Sequence, residues 1–207
     1  MRMYKKHVIW LASVGVLCAL VAGFWWMGIR QRERARAFLK DLASLQLGTS
    51  TFSDAQQLAR KYGGKPYNGP AREPTCSVDD CDLSFLFENA LKNRQGERTL
   101  SLDAGLTVKN GKVVRKQIDL TLMTTTWATQ FLYTLVDSVS LADPRGYHVT
   151  ISKVQAHGIP HVLEVRLGPT APAAVRKSAY SINLSCLTLW HRCDGPNDFF
   201  PPGLWSQ

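Results

Sequence analysis

Thr99-Leu100-Ser101-Leu102-Asp103-Ala104-Gly105-Leu106-Thr107-Val108-Lys109-Asn110-Gly111-Lys112-Val113-Val114-Arg115-Lys116-Gln117-Ile118-Asp119-Leu120 runs with a period of two on both sides of Asn110-Gly111. In a strand successive side chains point to opposite faces, so Leu100, Leu102, Ala104, Leu106 and Val108 make one apolar row. Asn-Gly between two such runs is a strong hairpin signal. Loop length then decides which faces meet. A two-residue Asn110-Gly111 loop pairs Leu106 with Arg115 and Leu102 with Asp119, setting an apolar face against a polar one. A three-residue loop with Gly111 left-handed pairs Leu106 with Val114, Leu102 with Ile118 and Leu100 with Leu120, and is the expected arrangement.

Working outward, Leu83, Phe85 and Phe87 alternate with Asp82, Ser84 and Glu88 and predict a preceding strand. Lys65 to Asp80, rich in Pro, Gly and acids, reads as an ordered loop held by Cys76 and Cys81. Residues 124–141 fit both periods: Trp127, Phe131, Leu135 and Val139 at helical spacing, Trp127, Thr129, Phe131, Tyr133 and Leu135 at strand spacing. The threonines favour the strand. Asp143-Pro144-Arg145-Gly146 is a turn, and Tyr147–Gln155 with Val162–Leu167 reads as a hairpin. Val175, Ala179, Ile182, Cys186 and Leu189 predict a closing helix, with Thr170 as cap, Pro172 in the first turn and His191 and Arg192 near the end. Phe199, Phe200 and Trp205 in the tail either pack back onto the domain, the preferred reading, or form partner contacts. The sum is an α+β domain with a mainly antiparallel sheet of five or six strands and a C-terminal helix.

The N-terminal third has a different character. Phe52, Ala55, Leu58, Ala59 and Tyr62 form the apolar face of a helix capped by Thr51, with Asp54 three residues on and Gly63-Gly64 at its end. Ala35, Phe38, Leu39, Leu42 and Leu45 form a similar stripe before Gly48, so the two segments predict a helical hairpin. Upstream, Val8 to Ile29 is a run of 22 residues without a charge. At ~1.5 Å per residue it reaches about 33 Å as a helix, enough for a hydrocarbon core of ~30 Å. A cleaved signal peptide is the competing reading, with Arg2, Lys5 and Lys6 as its basic end and Val21-Ala22-Gly23 as its cleavage site. Continuation through Phe24-Trp25-Trp26-Met27 argues for an uncleaved anchor, because Trp favours the membrane interface. Cys18 lacks the small-residue context of a lipid-modified cysteine and reads as membrane-buried. The chain thus divides into a basic tail (1–7), a transmembrane helix (8–29), a stalk helix and helical hairpin (30–64) and an α+β domain (65–207).

The net charge of +9 is unevenly placed. Residues 1–40 hold eight Lys/Arg and one acid, Glu33, while residues 41–207 hold seventeen Lys/Arg and fifteen acids. The excess therefore flanks the span, where Arg30, Arg32, Arg34 and Arg36, beside Trp25 and Trp26, form a membrane-interface collar facing anionic headgroups. The bilayer is the expected partner, a protein partner is open, and no nucleic-acid groove is indicated. A positive-inside count favours a cytoplasmic domain. Two considerations favour the opposite orientation: the first helix usually dominates topology, and the even set Cys76, Cys81, Cys186 and Cys193 suits two disulfides in an oxidising compartment. The domain is accordingly expected to be extracytoplasmic.

Disulfides are also preferred to a metal site, since gaps of four and six residues between the cysteines are loose for zinc even with His191 as a further ligand. Cys186 and Cys193 would stand about 10.5 Å apart along an unbroken helix, beyond bonding reach, so the local pairs Cys76–Cys81 and Cys186–Cys193 require that helix to end early. His157, His161 and His148 read as loop or strand residues, and Asp79, Asp80 and Asp82 match no calcium loop. No catalytic, cofactor-binding or nucleotide motif is present. Leu45-Gln46-Leu47-Gly48-Thr49-Ser50, a short helix and Gly64-Lys65-Pro66 resemble the opening of small outer-membrane assembly lipoproteins of the small-protein-A type. The likeness covers residues 45–66, lacks a lipid-attachment cysteine and implies no function here. The expected function is a membrane-anchored, non-catalytic binding or envelope-associated domain. The alternatives are a membrane-surface enzyme, in which His148, His157 or His191 meets Asp79, Asp80 or Asp194, and a cytoplasmic regulator with reduced thiols.

Overall fold

The period of two is realised as burial: Leu83, Phe85 and Phe87, then Leu100, Leu102, Ala104, Leu106 and Val108, then Ile118, Leu120 and Leu122 all face one core. A computed structural model describes residues 2–67, 76–88, 99–123, 129–152, 161–187, 195–201, 203 and 204. Of residues 2–9, 11, 12, 24, 27, 28, 99, 129, 130 and 186 it describes the backbone alone. The strands are β1 (Lys65–Pro66), β2 (Asp80–Glu88), β3 (Thr99–Lys109), β4 (Lys112–Met123), β5 (Thr129–Ser138), β6 (Tyr147–Ser152) and β7 (His161–Leu167). They form one sheet of seven, in the order β1-β2-β3-β4-β5-β7-β6. All neighbours are antiparallel except β5 and β7. The expected five or six strands are exceeded by the short β1, inside the segment read as a loop, and the parallel pair was not anticipated.

The central hairpin keeps the expected parity by a different device. Lys109 faces Lys112 across a two-residue loop in which Asn110 (φ 50°) and Gly111 (φ 72°) are both left-handed. Such turns match the natural twist of paired strands. The apolar faces are brought together further along by a bulge, where Thr107 faces Arg115 and Val108 faces Val113, leaving Val114 as the extra residue. Leu106 therefore meets Lys116, Leu102 meets Leu120 and Leu100 meets Leu122, two residues from the predicted register. A two-residue slip preserves the face of every side chain, which is why the core survives the error.

One face of the sheet is covered by helices. α1 (Arg2–Ser44) is continuous from the apolar segment into the stalk. Its Ala35, Phe38, Leu39 and Leu42 are buried, with the Phe38 ring 5.3 Å from Tyr62, 4.8 Å from Phe85 and 4.9 Å from Phe87. α2 (Phe52–Tyr62) carries the predicted cap: Thr51 and Asp54 exchange hydrogen bonds, and Gly63 (φ 77°) closes the helix. Lys61 and Tyr62 donate to the Asp41 carboxylate at 2.8 and 2.7 Å, locking the hairpin. Those two bonds hold the Asp41 carboxyl below its ordinary value.

The long closing helix does not form. α3 (Ala173–Ala179) starts at Pro172 without a side-chain cap, so Thr170 does not serve as one. Beyond it the chain is irregular to a 3₁₀ turn at Ser185–Leu187. Asn183 explains the break: its side chain accepts from the Ser185 amide at 3.0 Å and donates to the Asp198 carbonyl at 2.6 Å, bonds that a continuing helix would forbid. A last short helix, α4 (Pro196–Phe199), buries Phe199 and Phe200 against Phe131. Among the described residues no helix is long and apolar enough to cross a membrane. Val8, Ile9, Leu11, Ala12, Phe24, Met27 and Gly28 of the expected span lie outside the described side chains.

Thr51→Ala removes one half of the cap on α2 and is expected to lower stability by about 1 kcal/mol in chemical denaturation at pH 7. Asp54 is held below its ordinary value of 3.8 chiefly by the Thr51 amide. A depressed carboxyl stabilises the fold above its unfolded value and loses that contribution as pH falls through the folded one. Thermal unfolding of Asp54→Asn should therefore fall below that of the parent at pH 7 and converge with it in acid.

Candidate functional site

Two apolar rows on the core face end in charge. On β4 the row containing Ile118 and Leu120 includes Lys116, and on β5 the row Phe131, Tyr133 and Leu135 continues to Asp137. Lys116 and Asp137 are direct cross-strand partners, 2% and 0% exposed. Burying ions costs several kcal/mol each unless their bonding capacity is met, so the partners decide the outcome. Lys116 Nζ lies 3.1 Å from Asp137 Oδ2, donates to the Leu45 carbonyl at 2.9 Å and sits 5.2 Å from the centre of the Tyr180 ring. Asp137 Oδ2 also accepts from Arg176 Nη1 and from the Tyr180 hydroxyl, the latter at 3.1 Å. The other Arg176 nitrogen donates to the Gly168 carbonyl at 2.7 Å. Asp137 Oδ1 has no hydrogen-bond partner.

One carboxylate thus serves a buried cation, Lys116, and a half-buried one, Arg176. Burial pulls the Lys116 ammonium below its ordinary value, opposed by Asp137, while burial and then the Asp137 charge push the Tyr180 phenol well up. Burial likewise raises the Tyr133 phenol, whose hydroxyl donates to the Ala179 carbonyl at 2.6 Å. Both phenols remain protonated donors at neutral pH. The cluster is a clamp joining the end of α1, the sheet and α3.

Immediately outside the clamp lies a cleft of 530 Å³ between α1 and α3 with its following segment. Leu39, Ala43, Ile182 and Leu184 supply apolar walls, and Arg36, Lys40, Arg176 and Lys177 supply four cations. Among the described residues no acid or histidine lines it. Arg36 shares its charge with Glu33 at 2.7 Å and Arg176 with Asp137. Lys40 and Lys177 stand without a described hydrogen bond or ion pair. The arrangement suits an anion with an apolar part.

The residues singled out from sequence fall as follows. Cys76 and Cys81 are placed as a disulfide with Cα atoms 4.4 Å apart; the Cys186 side chain and Cys193 lie outside the described residues. Trp25 and Trp26 are exposed, and the Arg30 guanidinium sits 5.1 Å from the Trp26 ring centre. Arg32 lies 3.4 Å from Glu33. Arg34 donates to the Tyr62 carbonyl at 2.8 Å, tying α1 to the end of α2. His148, 3.9 Å from Asp143, is on the edge strand β6, five strand spacings or about 24 Å from Asp79 and Asp80 at the start of β2. Those groups do not converge. Asp80 pairs with Lys109 at 2.6 Å, and His161 stacks on Phe131. His157, His191, Asp194 and Trp205 lie outside the described residues. No group of three or more His, Cys, Asp or Glu among the described residues is placed to hold a metal.

Asp137→Ala leaves buried Lys116 and half-buried Arg176 without their counter-charge and is expected to cost about 3–5 kcal/mol in urea unfolding. Lys116→Met leaves the Arg176–Asp137 pair intact and should cost less. Because the folded-state value of Lys116 lies below its ordinary 10.5, the parent gains stability as pH rises through that folded value towards 10.5. Lys116→Met should remove this alkaline gain, read as the difference in urea midpoint between parent and variant from pH 7 to 10. Compared with protein-family models, curated proteins and solved structures, the chain matches none.

Proposed function

We propose that this chain is a single-pass membrane protein whose α+β domain is a non-catalytic binding module held against the outer surface of the bilayer. The observation that carries the anchor is the surface of α1: Trp10, Val16, Leu17, Leu20, Val21, Trp25 and Trp26 are all at least half exposed. A helix that is apolar all round needs an apolar solvent, and one without a charge from Val8 to Ile29 has the length for a bilayer. The Trp25-Trp26 pair with Arg30 marks the interface. The Cys76–Cys81 pair supports the extracytoplasmic side, since disulfides persist in oxidising compartments. The binding reading is supported by the composition of the cleft, whose described lining pairs four cations with apolar walls suited to an amphiphilic anion.

After salt and carbonate washing, the full-length chain should stay with the membrane fraction and retain Met1. A soluble polypeptide starting near Phe24 would overturn the anchor. Alkylation without reduction, followed by mass spectrometry, should leave Cys76 and Cys81 unlabelled. Quantitative labelling of both would move the domain to the cytoplasmic face.

A further inference from the structure

We infer that the cleft between α1 and α3 binds the anionic headgroup and proximal acyl carbons of a phospholipid. The inference rests on the proposed anchor for how the lipid is presented, and on the cleft alone for its chemistry.

Lys40 and Lys177 supply the recognition. Among the described residues every titratable group lining the cleft is a cation, apart from the Tyr180 phenol, whose hydroxyl is already bonded to Asp137. Arg36 and Arg176 are engaged by acidic partners, while Lys40, beside Asp41 in the chain, and Lys177 are the two lining cations without a described hydrogen bond or ion pair, one on α1 and one on α3. Two ammonium groups across one cleft repel until an anion lies between them. A bare phosphate would answer the charge and leave Leu39, Ala43, Ile182 and Leu184 facing water. An amphiphile satisfies both, and a cleft of 530 Å³ is of the size that holds one small organic ligand.

Position selects the source. Arg36 follows Ile29 by seven helical residues and Lys40 by eleven, placing them about 10 and 16 Å beyond the end of the apolar run. Headgroups extend roughly 5–8 Å past the hydrocarbon on each side, so the α1 wall of the cleft begins just above them. A lipid rising by part of its length reaches the lysines while its chains remain in the leaflet.

The test uses the full chain in non-ionic detergent and native mass spectrometry with three probes: dihexanoyl phosphatidylglycerol, dihexanoyl phosphatidylcholine and glycerol phosphate. One phosphatidylglycerol should bind per chain, and the double substitution Lys40→Ala/Lys177→Ala should weaken it about thirtyfold, at ~1 kcal/mol per cation. Arg30→Ala/Arg32→Ala, which alters the collar and not the cleft, should leave the affinity unchanged. Circular dichroism checks that both variants are folded. Equal binding of phosphatidylcholine, equal binding of glycerol phosphate, or loss through the collar variant instead of the cleft variant would each overturn the inference. Because the measurement is made in detergent, it stands whether or not the chain is retained by membranes, so the failure of one reading is distinguishable from that of the other.

Discussion

Asp137 is the constraint around which the rest of the domain is arranged. Its carboxylate sits at the end of an apolar strand row, fully buried, and cannot be left there alone. Lys116 comes to it through the β4–β5 register, and Arg176 comes from α3, so satisfying one group fixes both the strand pairing and the position of the C-terminal segment. Two cations against one anion leave a formal excess of positive charge. The backbone absorbs part of it. Lys116 donates to the carbonyl of Leu45, immediately past the end of α1, where the last unsatisfied carbonyls of a helix carry roughly half a negative charge. Arg176 takes a further carbonyl at Gly168. The clamp is therefore complete only when the sheet, α1 and α3 are all in place.

That requirement ties the stalk to the domain. Ala35, Phe38, Leu39 and Leu42 are as buried as the sheet residues they touch, and Arg34 and Asp41 fasten α1 to α2. The second half of α1 is core, whatever surrounds the first half. Under the proposed anchoring, the same helix serves both, and no flexible linker separates them. Under that anchoring the domain keeps a fixed orientation to the membrane.

Much of this was legible in the sequence because it depends on local periodicity. The alternation through β2 and β3, the stripe on α1, and the Thr51–Asp54 cap each follow from spacing and turn chemistry within a few residues. Within residues 124–141 the strand reading is realised over Thr129–Ser138 as β5, while residues 124–128 lie outside the described residues. The hairpin shows where such reasoning stops. Parity is set by burial and could be read; the means of restoring it, a loop of three residues or a bulge at Val114, depends on strand twist summed over the whole ladder. The closing helix failed for a related reason. Its apolar spacing was sound, but Asn183 had a competing bond with Asp198, a partner fifteen residues away.

The clamp itself was missed, although a signal was present. Lys116 occupies an apolar parity position on β4 and Asp137 the corresponding position on β5, and a charge at such a position in each of two consecutive strands is unlike the solvent-facing charges on either side. Read singly, each is an imperfection in a pattern; read as a pair, they call for one another, since neither ion is tolerable in the core without the other. Arg176 had no such signature, because a cation on a short helix is ordinarily a surface residue. Its role comes from a fold in which the chain turns back after β7 and presents α3 beside the end of α1, and the cleft is what that close approach leaves unfilled. Site and clamp thus share members: Arg176 and Tyr180, which bond the Asp137 carboxylate, also line the cleft.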